Sequence, residues 1–413
     1  MDLLLEGPLI MGSKRGNLVN SVSVGMAYPY PINILREAGG PERILAELFK
    51  SSRDHFLWAC NFVYTRSRAH GVAGQMNMRR VVRSWISTPL AIMLYKRYLQ
   101  REYAETRGSC VFSFHPISTI ASIGWAGCIV ATHHGVGSHI GELLRSLPEN
   151  ERRISLRLPT WFWPLAYIER YALAVADAVA VPSEGGKQCL LNDLPPTLAS
   201  RVALKAVVIP NGLPMPEPAA VIENVAWWRK AILSPSRLIR SKGCDLLLTA
   251  FLGLVAESRI PEDVKLVFVG SGPENDKLHR AAGLFLNRRV FFIPSMPRDQ
   301  LLRAIKESML VSIVHRETVC DLVLIEAMAL GKAILTTDIP GNREMFQNGS
   351  GMLVPLDLGG IIRGLSELVL NAQLRAQLGD CARRRWQSEY TETAMAKRYL
   401  NAAREIYERR KTE

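Results

Sequence analysis

No CxxC pair occurs anywhere in the chain. The seven cysteines, Cys60, Cys110, Cys128, Cys189, Cys244, Cys320 and Cys381, are scattered and odd in number. That excludes a disulfide framework and a zinc ribbon, and it predicts a reduced, cytoplasmic interior. A basic leader is also missing. Residues 1–9 are apolar but short and carry Asp2 and Glu6, so they do not read as a signal peptide. There is no unbroken run of about 18 apolar residues, which excludes a spanning helix. Residues 120–132 come closest, and Gly124, Gly127 and Thr132 mark them as a buried α/β segment. Internal repeats and low-complexity tracts are absent too. The sharpest local lack is acidic: residues 64–100 hold no Asp or Glu, while Arg66, Arg68, Arg79, Arg80, Arg83, Lys96 and Arg97 are all present.

That basic stretch is interleaved with Trp85, Ile86, Leu90, Ile92, Met93, Leu94 and Tyr95. Cations beside an apolar face suit anionic lipid headgroups; the plain alternative is a solvated helix face packed on its own core. The net charge of +13 fits either. Nucleic acid is not an expected partner, because no binding motif accompanies the charge.

A chain of 413 residues, 48% hydrophobic and 22% charged, has ample core for two domains of roughly 200 residues. Apolar runs alternate with amphipathic ones. Strands are expected at 19–26, 56–63, 110–115, 128–132, 178–183 and 207–209, the last halted by Pro210-Asn211-Gly212. Helices are expected at 43–49, after Gly39-Gly40-Pro41, and at 168–174. The prolines at 214, 216 and 218 read as a stiff linker. Beyond them the pattern restarts, with strands at 232–234, 265–269, 290–293, 310–314 and 333–336. Helices are expected at 244–256, 275–286 and 361–372, and a charged helical tail at 382–413. The expected fold class is α/β with parallel sheets and crossover helices. The expected division is 1–212, a linker at 213–225, 226–385, and a tail at 386–413.

Three strings in the second half carry chemistry. Arg237 and Lys242 lie five apart between a strand and a helix start near Gly243. Arginine offers phosphate a planar fork, lysine a point charge, and the helix start free amides. Gly270 and Gly272 follow an apolar strand, so backbone can approach a ligand closely. Glu326, read as lying at a helix start, suits two vicinal ribose hydroxyls. Singly these are ordinary loop cations, a turn and a favoured carboxylate. In this order they suit a ligand with two phosphates, a ribose and a sugar.

The same residues resemble the donor-binding half of the retaining GT-B glycosyltransferases, specifically glycosyltransferase family 4. So do Ala176-Asp177-Ala178-Val179 with Ser183, Ile209-Pro210-Asn211-Gly212, Gly341-Asn342-Arg343-Glu344 and Gly351-Met352-Leu353-Val354-Pro355. The resemblance runs from about residue 39 to 355 and is dense beyond 209. It implies two Rossmann-like domains facing across a cleft, with a nucleotide diphosphate sugar as co-substrate, held mainly by the C-terminal one. Arg237 and Lys242 would bind the diphosphate and Glu326 the ribose. Gly39 and Gly40 would close on the phosphates, and Gly270 would line the donor. His134 would stand near the transferred sugar, with neighbouring His133 as the alternative. Glu317 joins the catalytic set. His133, His134 and His139 are not expected to hold metal, which the family does not need.

The chain departs from the family at one place. Two glutamates usually enclose seven residues including Phe-Gly; here Glu317 and Glu326 enclose eight, and Val319-Cys320-Asp321 replaces Phe-Gly. A one-residue insertion after Thr318 accounts for this, and it bears on the sugar pocket more than on the phosphate clamp. The resemblance implies sugar transfer with retention to a hydroxyl, in cell-surface glycan or glycolipid assembly. A lipid-linked acceptor would bind the N-terminal half, where the aromatic cluster at 159–164 and the basic stretch lie, at the inner face of a membrane. Two alternatives stay open: a non-catalytic GT-B protein that binds nucleotide or glycan or scaffolds an enzyme, and nucleotide-sugar epimerisation.

Overall fold

A computed structural model describes residues 24–28, 58–61, 92–94, 96, 97, 99, 100, 108, 110–135 and 164–412. Gly39, Gly40, His139, the basic positions 66–83 and the aromatic positions 159–163 lie outside the described residues.

The chain divides into two compact units, one of Met1–Pro182, Gly186–Ile209 and Met395–Glu413, the other of Ser183–Gly185 and Pro210–Ala394. Each is built on a six-stranded parallel sheet. In the first unit β1 (Val24–Tyr28), β2 (Trp58–Asn61), β3 (Cys110–Ser113), β4 (Cys128–Thr132), β5 (Ala178–Val181) and β6 (Ala206–Val208) are ordered β2-β1-β3-β4-β5-β6. The second unit has β7 (Ala231–Pro235), β8 (Lys265–Val269), β9 (Val290–Ile293), β10 (Leu310–Ile313), β11 (Ile334–Thr337) and β12 (Met352–Val354), ordered β12-β11-β10-β7-β8-β9. The runs Cys110–Ser113, Cys128–Thr132, Ala231–Pro235 and Leu310–Ile313 are buried at every residue. This is the signature of parallel strands covered on both faces.

The crossover helices used below are α1 (Pro116–Ala121), α2 (Pro164–Val175), α3 (Glu184–Asp193) and α4 (Pro196–Lys205), then α5 (Cys244–Ala256), α6 (Asn275–Ala282), α7 (Arg298–Glu307) and α8 (Leu322–Ala329). Three longer helices follow near the C-terminal end: α9 (Leu358–Leu370), α10 (Ala372–Glu389) and α11 (Glu392–Thr412). In α5, Leu247, Leu248, Phe251 and Leu254 recur at helical spacing and are fully buried against β8 and α9 residues in one core. Each such side chain contributes roughly 1.5–3 kcal/mol of burial. Helix α6 stops at Ala282, short of the expected 286, because Gly283 turns left-handed (φ 51°) and starts a separate turn.

The proline-spaced stretch is tied to the second unit. The Leu213 amide donates to Tyr390 O (2.9 Å), Trp386 Nε1 donates to Leu213 O (3.3 Å), and the Ala219 amide donates to Asp299 O (2.9 Å). In the first unit, α11 supplies core: Tyr399 is 1% exposed and meets Phe112 edge-on at 4.9 Å. Among the described residues no helix is long and apolar enough to cross a membrane.

Candidate functional site

The second sheet reverses direction between β7 and β10. The chain runs outward through β8 and β9, returns to pair β10 on the far side of β7, and continues through β11 and β12. In open α/β sheets, ligands bind outside the carboxyl ends of the strands at such a switch point. Arg237 and Lys242 follow β7, Gly270 follows β8, and Glu317 and Asp321 follow β10.

These loops are locked side by side. The Ser236 amide donates to Val269 O (3.0 Å), the Leu238 amide to Ser271 O (3.0 Å), and the Glu274 amide to Leu238 O (3.0 Å). Gly270 adopts φ 141°, and a Cβ there would lie 2.2 Å from Ser236 O. Gly243, at φ 63°, begins α5, and its Cβ would lie 1.9 Å from Val314 O. Glycine is therefore required at both contacts, one holding the Arg237 loop to β8 and the other holding the Lys242 turn to β10. Arg316 reinforces the second, donating from its backbone to Ser241 O (2.8 Å) and from its guanidinium to Asp245 (2.7 and 2.8 Å). Arg237 itself is exposed.

Lys242 is engaged internally. Its Nζ forms an ion pair with Asp321 Oδ2 and lies 3.3 Å from His315 Nε2, which is 3.0 Å from the same Asp321 oxygen. His315 is fully buried; burial and the Lys242 charge push its pKa down to about 4, against the pull of Asp321. Burial alone would raise the Asp321 carboxyl, but the Lys242 charge and the His315 hydrogen bond outweigh it and hold it well below the usual carboxylate range. At neutral pH the imidazole is therefore neutral and donates from Nε2 to the Asp321 carboxylate.

The other oxygen of Asp321 accepts the Val323 amide (3.1 Å), which makes Asp321 the N-cap of α8. The helix start expected at Glu326 is thus corrected: α8 begins at Leu322, and Glu326 lies more than a turn inside it. Glu326 is 2% exposed and pairs with Arg298 Nη2 at 2.5 Å. Glu317 is partly buried between β10 and α8. Val319 and Cys320 of the departing segment are buried, and burial pushes the Cys320 thiol up to about 12 against a hydrogen bond from Asn211.

In the first unit the two adjacent histidines follow β4 and part company. His133 is 4% exposed, with Nδ1 3.7 Å from Glu169 of α2. His134 is partly exposed and stacks on Phe114, which follows β3, at 5.5 Å and 7°. Among the described residues no cluster of three metal-ligating side chains occurs.

Residues 227–385, all within the second unit, match the family model described as glycosyl transferases group 1. This part of the chain is a group 1 glycosyltransferase domain. The group 1 domain thus spans β7 to α10 and holds Arg237, Lys242, Gly270, Glu317 and Glu326 together. Alpha-maltose-1-phosphate synthase of Mycolicibacterium smegmatis is 23% identical over 68% of this chain and 80% of its own. An uncharacterized glycosyltransferase of Methanocaldococcus jannaschii is 25% identical over 42% of this chain; the match spans only 43% of that protein. An Anabaena protein solved in complex with UDP and glucose superposes with a TM-score of 0.62 at 18% identity, covering 92% of this chain and 98% of that one. The two parallel-sheet α/β units are a GT-B fold.

Sequence reasoning missed three polar residues: His315, Asp321 as a partner of Lys242, and Arg298. Asp321 was visible as an oddity in the departing segment. Arg298 gave no signal, since its helix was not foreseen.

Proposed function

We propose that the protein is a glycosyltransferase that moves a sugar from a nucleotide diphosphate sugar to a hydroxyl acceptor with retention of configuration. The observation that carries this reading is the convergence of the Arg237 loop, the Lys242 turn, the Gly270 turn and α8 at the switch point of one parallel sheet. In this reading Arg237 and Lys242 face the diphosphate, Gly270 lets backbone approach the donor, and Glu326 takes the ribose hydroxyls. Glu317 and His134 act at the transferred sugar, and Gly39 and Gly40 close on the phosphates.

The bond from the anomeric carbon to the phosphate oxygen breaks while the acceptor oxygen bonds to that carbon. The acceptor proton passes to the departing phosphate oxygen, so no protein base is assigned. Arg237 and Lys242 stabilise the charge growing on the diphosphate, which is electrostatic catalysis. The two cations supply the counter-charge, and neither metal nor other cofactor is assigned a role.

The acceptor belongs to the first unit, and a lipid-linked glycan precursor at the inner face of an anionic membrane is the class proposed. Supporting this, Arg201, Lys205, Arg409 and Arg410 line a cavity of about 330 Å³ with Leu204 and Ile406, against one carboxylate, Asp177. Leu204 is 87% exposed on α4, which packs on α2, and α2 presents exposed Tyr167 and Tyr171. Apolar tips beside cations suit a headgroup layer.

The test is to incubate the protein with uridine, guanosine and adenosine diphosphate sugars and lipid-linked or free hydroxyl acceptors, and read the new linkage by proton NMR. An α-donor giving an α-linked product supports the reading; an inverted product or none with any pair refutes it. The pairing of Lys242 and Glu326 with internal partners favours a second reading, a non-catalytic protein that binds nucleotide without transfer. Nucleotide binding with no product from any acceptor would support that one.

A further inference from the structure

Lys242 is placed by the β7 loop, Asp321 by the N-terminus of α8, and the two meet 79 residues apart in sequence at the switch point of the sheet. Asp321 is anchored twice: Oδ1 caps α8 through the Val323 amide, and Oδ2 takes both Lys242 and His315. His315 is fixed in turn. Its ring is fully buried, with Nδ1 3.4 Å from Thr336 Oγ1, whose single proton goes to Ile313 O (2.7 Å), so packing and the Nε2–H bond to Asp321 hold it in place. The carboxylate is therefore held against the ammonium by a buried frame, not by a wandering side chain. An ammonium has three donors, but a carboxylate in contact cancels the charge that a diphosphate would be drawn to.

We infer that Asp321 is a tethered competitor of the donor's diphosphate for Lys242, so that the donor binds by displacing an anion the protein carries itself. This rests on the donor reading above. The geometry also supplies the exit. When Lys242 turns to a phosphate oxygen, the Nε2–H of His315 still bonds Asp321 Oδ2, so the carboxylate is not stranded in its partly buried position. Arg237, exposed on the same loop, is the cation that meets the incoming phosphate first, and Lys242 is released second. A site so arranged selects against singly charged phosphates, because one charge replaces Asp321 without gain while a diphosphate brings more.

The clean variant is Asp321→Asn. Asparagine caps helices as well as aspartate does, so α8 keeps its start while the charge is lost. Thermal melting checks that the fold is intact, and Asp321→Ser, a shorter cap, repeats the test. Calorimetric titration with nucleoside diphosphates and with inorganic pyrophosphate should show Asp321→Asn binding tenfold or more tighter than wild type. In a Lys242→Ala background the same change should shift affinity less than twofold. Weaker binding by Asp321→Asn would mean that the carboxylate positions Lys242 for phosphate, and unchanged binding would mean no competition; either overturns the inference. Nucleotide binding by wild type keeps the donor reading in both cases. Conversely, tighter pyrophosphate binding by Asp321→Asn, with no nucleotide bound by either protein, leaves the competition standing and removes the donor reading.

Discussion

Arg298, at the first turn of α7, reaches Glu326 of α8 at 2.5 Å, and the carboxylate it meets is only 2% exposed. A buried carboxylate without its counter-charge is costly, whereas Arg298 is itself half exposed and would stay solvated alone. The two truncations are therefore unequal. Arg298→Ala should destabilise the protein by roughly 1–3 kcal/mol, discounted from a fully buried pair because the arginine is screened. Glu326→Gln should cost less. Urea unfolding of both variants decides, and equal or reversed losses would show that Arg298 does not hold the carboxylate.

His315 sets an acid limit on stability. Its pKa is about 4 in the fold against 6.5 for a free imidazole, so the unfolded chain binds more protons between those values. Its contribution is present in full above pH 6.5, declines as pH falls through that window, and is on the order of 3 kcal/mol. Melting temperature against pH should therefore fall more steeply between 6.5 and 4 for wild type than for His315→Gln. Parallel curves would assign the acid loss to other groups.

Gly270→Ala tests the contact between β8 and the Arg237 loop. Its φ of 141° and the 2.2 Å approach of a Cβ to Ser236 O act together, and the atom in the way is backbone. The expected cost is about 2 kcal/mol or more, with a weaker diphosphate site because the Arg237 loop must shift. A variant as stable as wild type would show that the two loops are not held together here.

Tyr399 separates packing from hydrogen bonding in the first unit. The ring is 1% exposed against Phe112 and Phe114, yet its buried hydroxyl has no hydrogen-bond partner among the described residues. Tyr399→Ala should cost about 3–5 kcal/mol. Tyr399→Phe should be neutral or slightly stabilising, since an unpaired buried hydroxyl is removed. A Phe variant much less stable than wild type would reveal a partner for the hydroxyl.

Much of the second sheet was readable from the pattern alone. The bounds of β8 and β9 follow from apolar runs stopped by Gly270 and Pro294, and α5 starts just after Gly243, where local chemistry decides. Helix α7 was not foreseen: it buries Leu302, Ala304 and Ile305, a small apolar set among charges. The start of α8 lies earlier than the pattern suggests, because the run from Leu322 to Ile325 is apolar and the capping role of Asp321 shows only once its side chain accepts the Val323 amide. The sequence singled out Arg237, Lys242, Gly270 and Glu317 by residue type, and the structure sets them on the loops after β7, β8 and β10. The internal partners of the site residues were not legible. Lys242 and Asp321, or Arg298 and Glu326, become neighbours only through strand order, which no local spacing encodes. The same is true of α11, a charged tail in sequence that places Tyr399 in the first unit's core.

The most direct test of the donor site is thermal denaturation of wild type and Arg237→Ala with a panel of nucleoside diphosphates and their sugars. A ligand at 100 times its dissociation constant stabilises the fold by about 2.7 kcal/mol. A clear upward shift with at least one nucleotide sugar, lost in Arg237→Ala, is the predicted result. A wild type that shifts with none, or a variant that shifts as far as wild type, would contradict the assignment of the switch point of the second sheet as a nucleotide-sugar site.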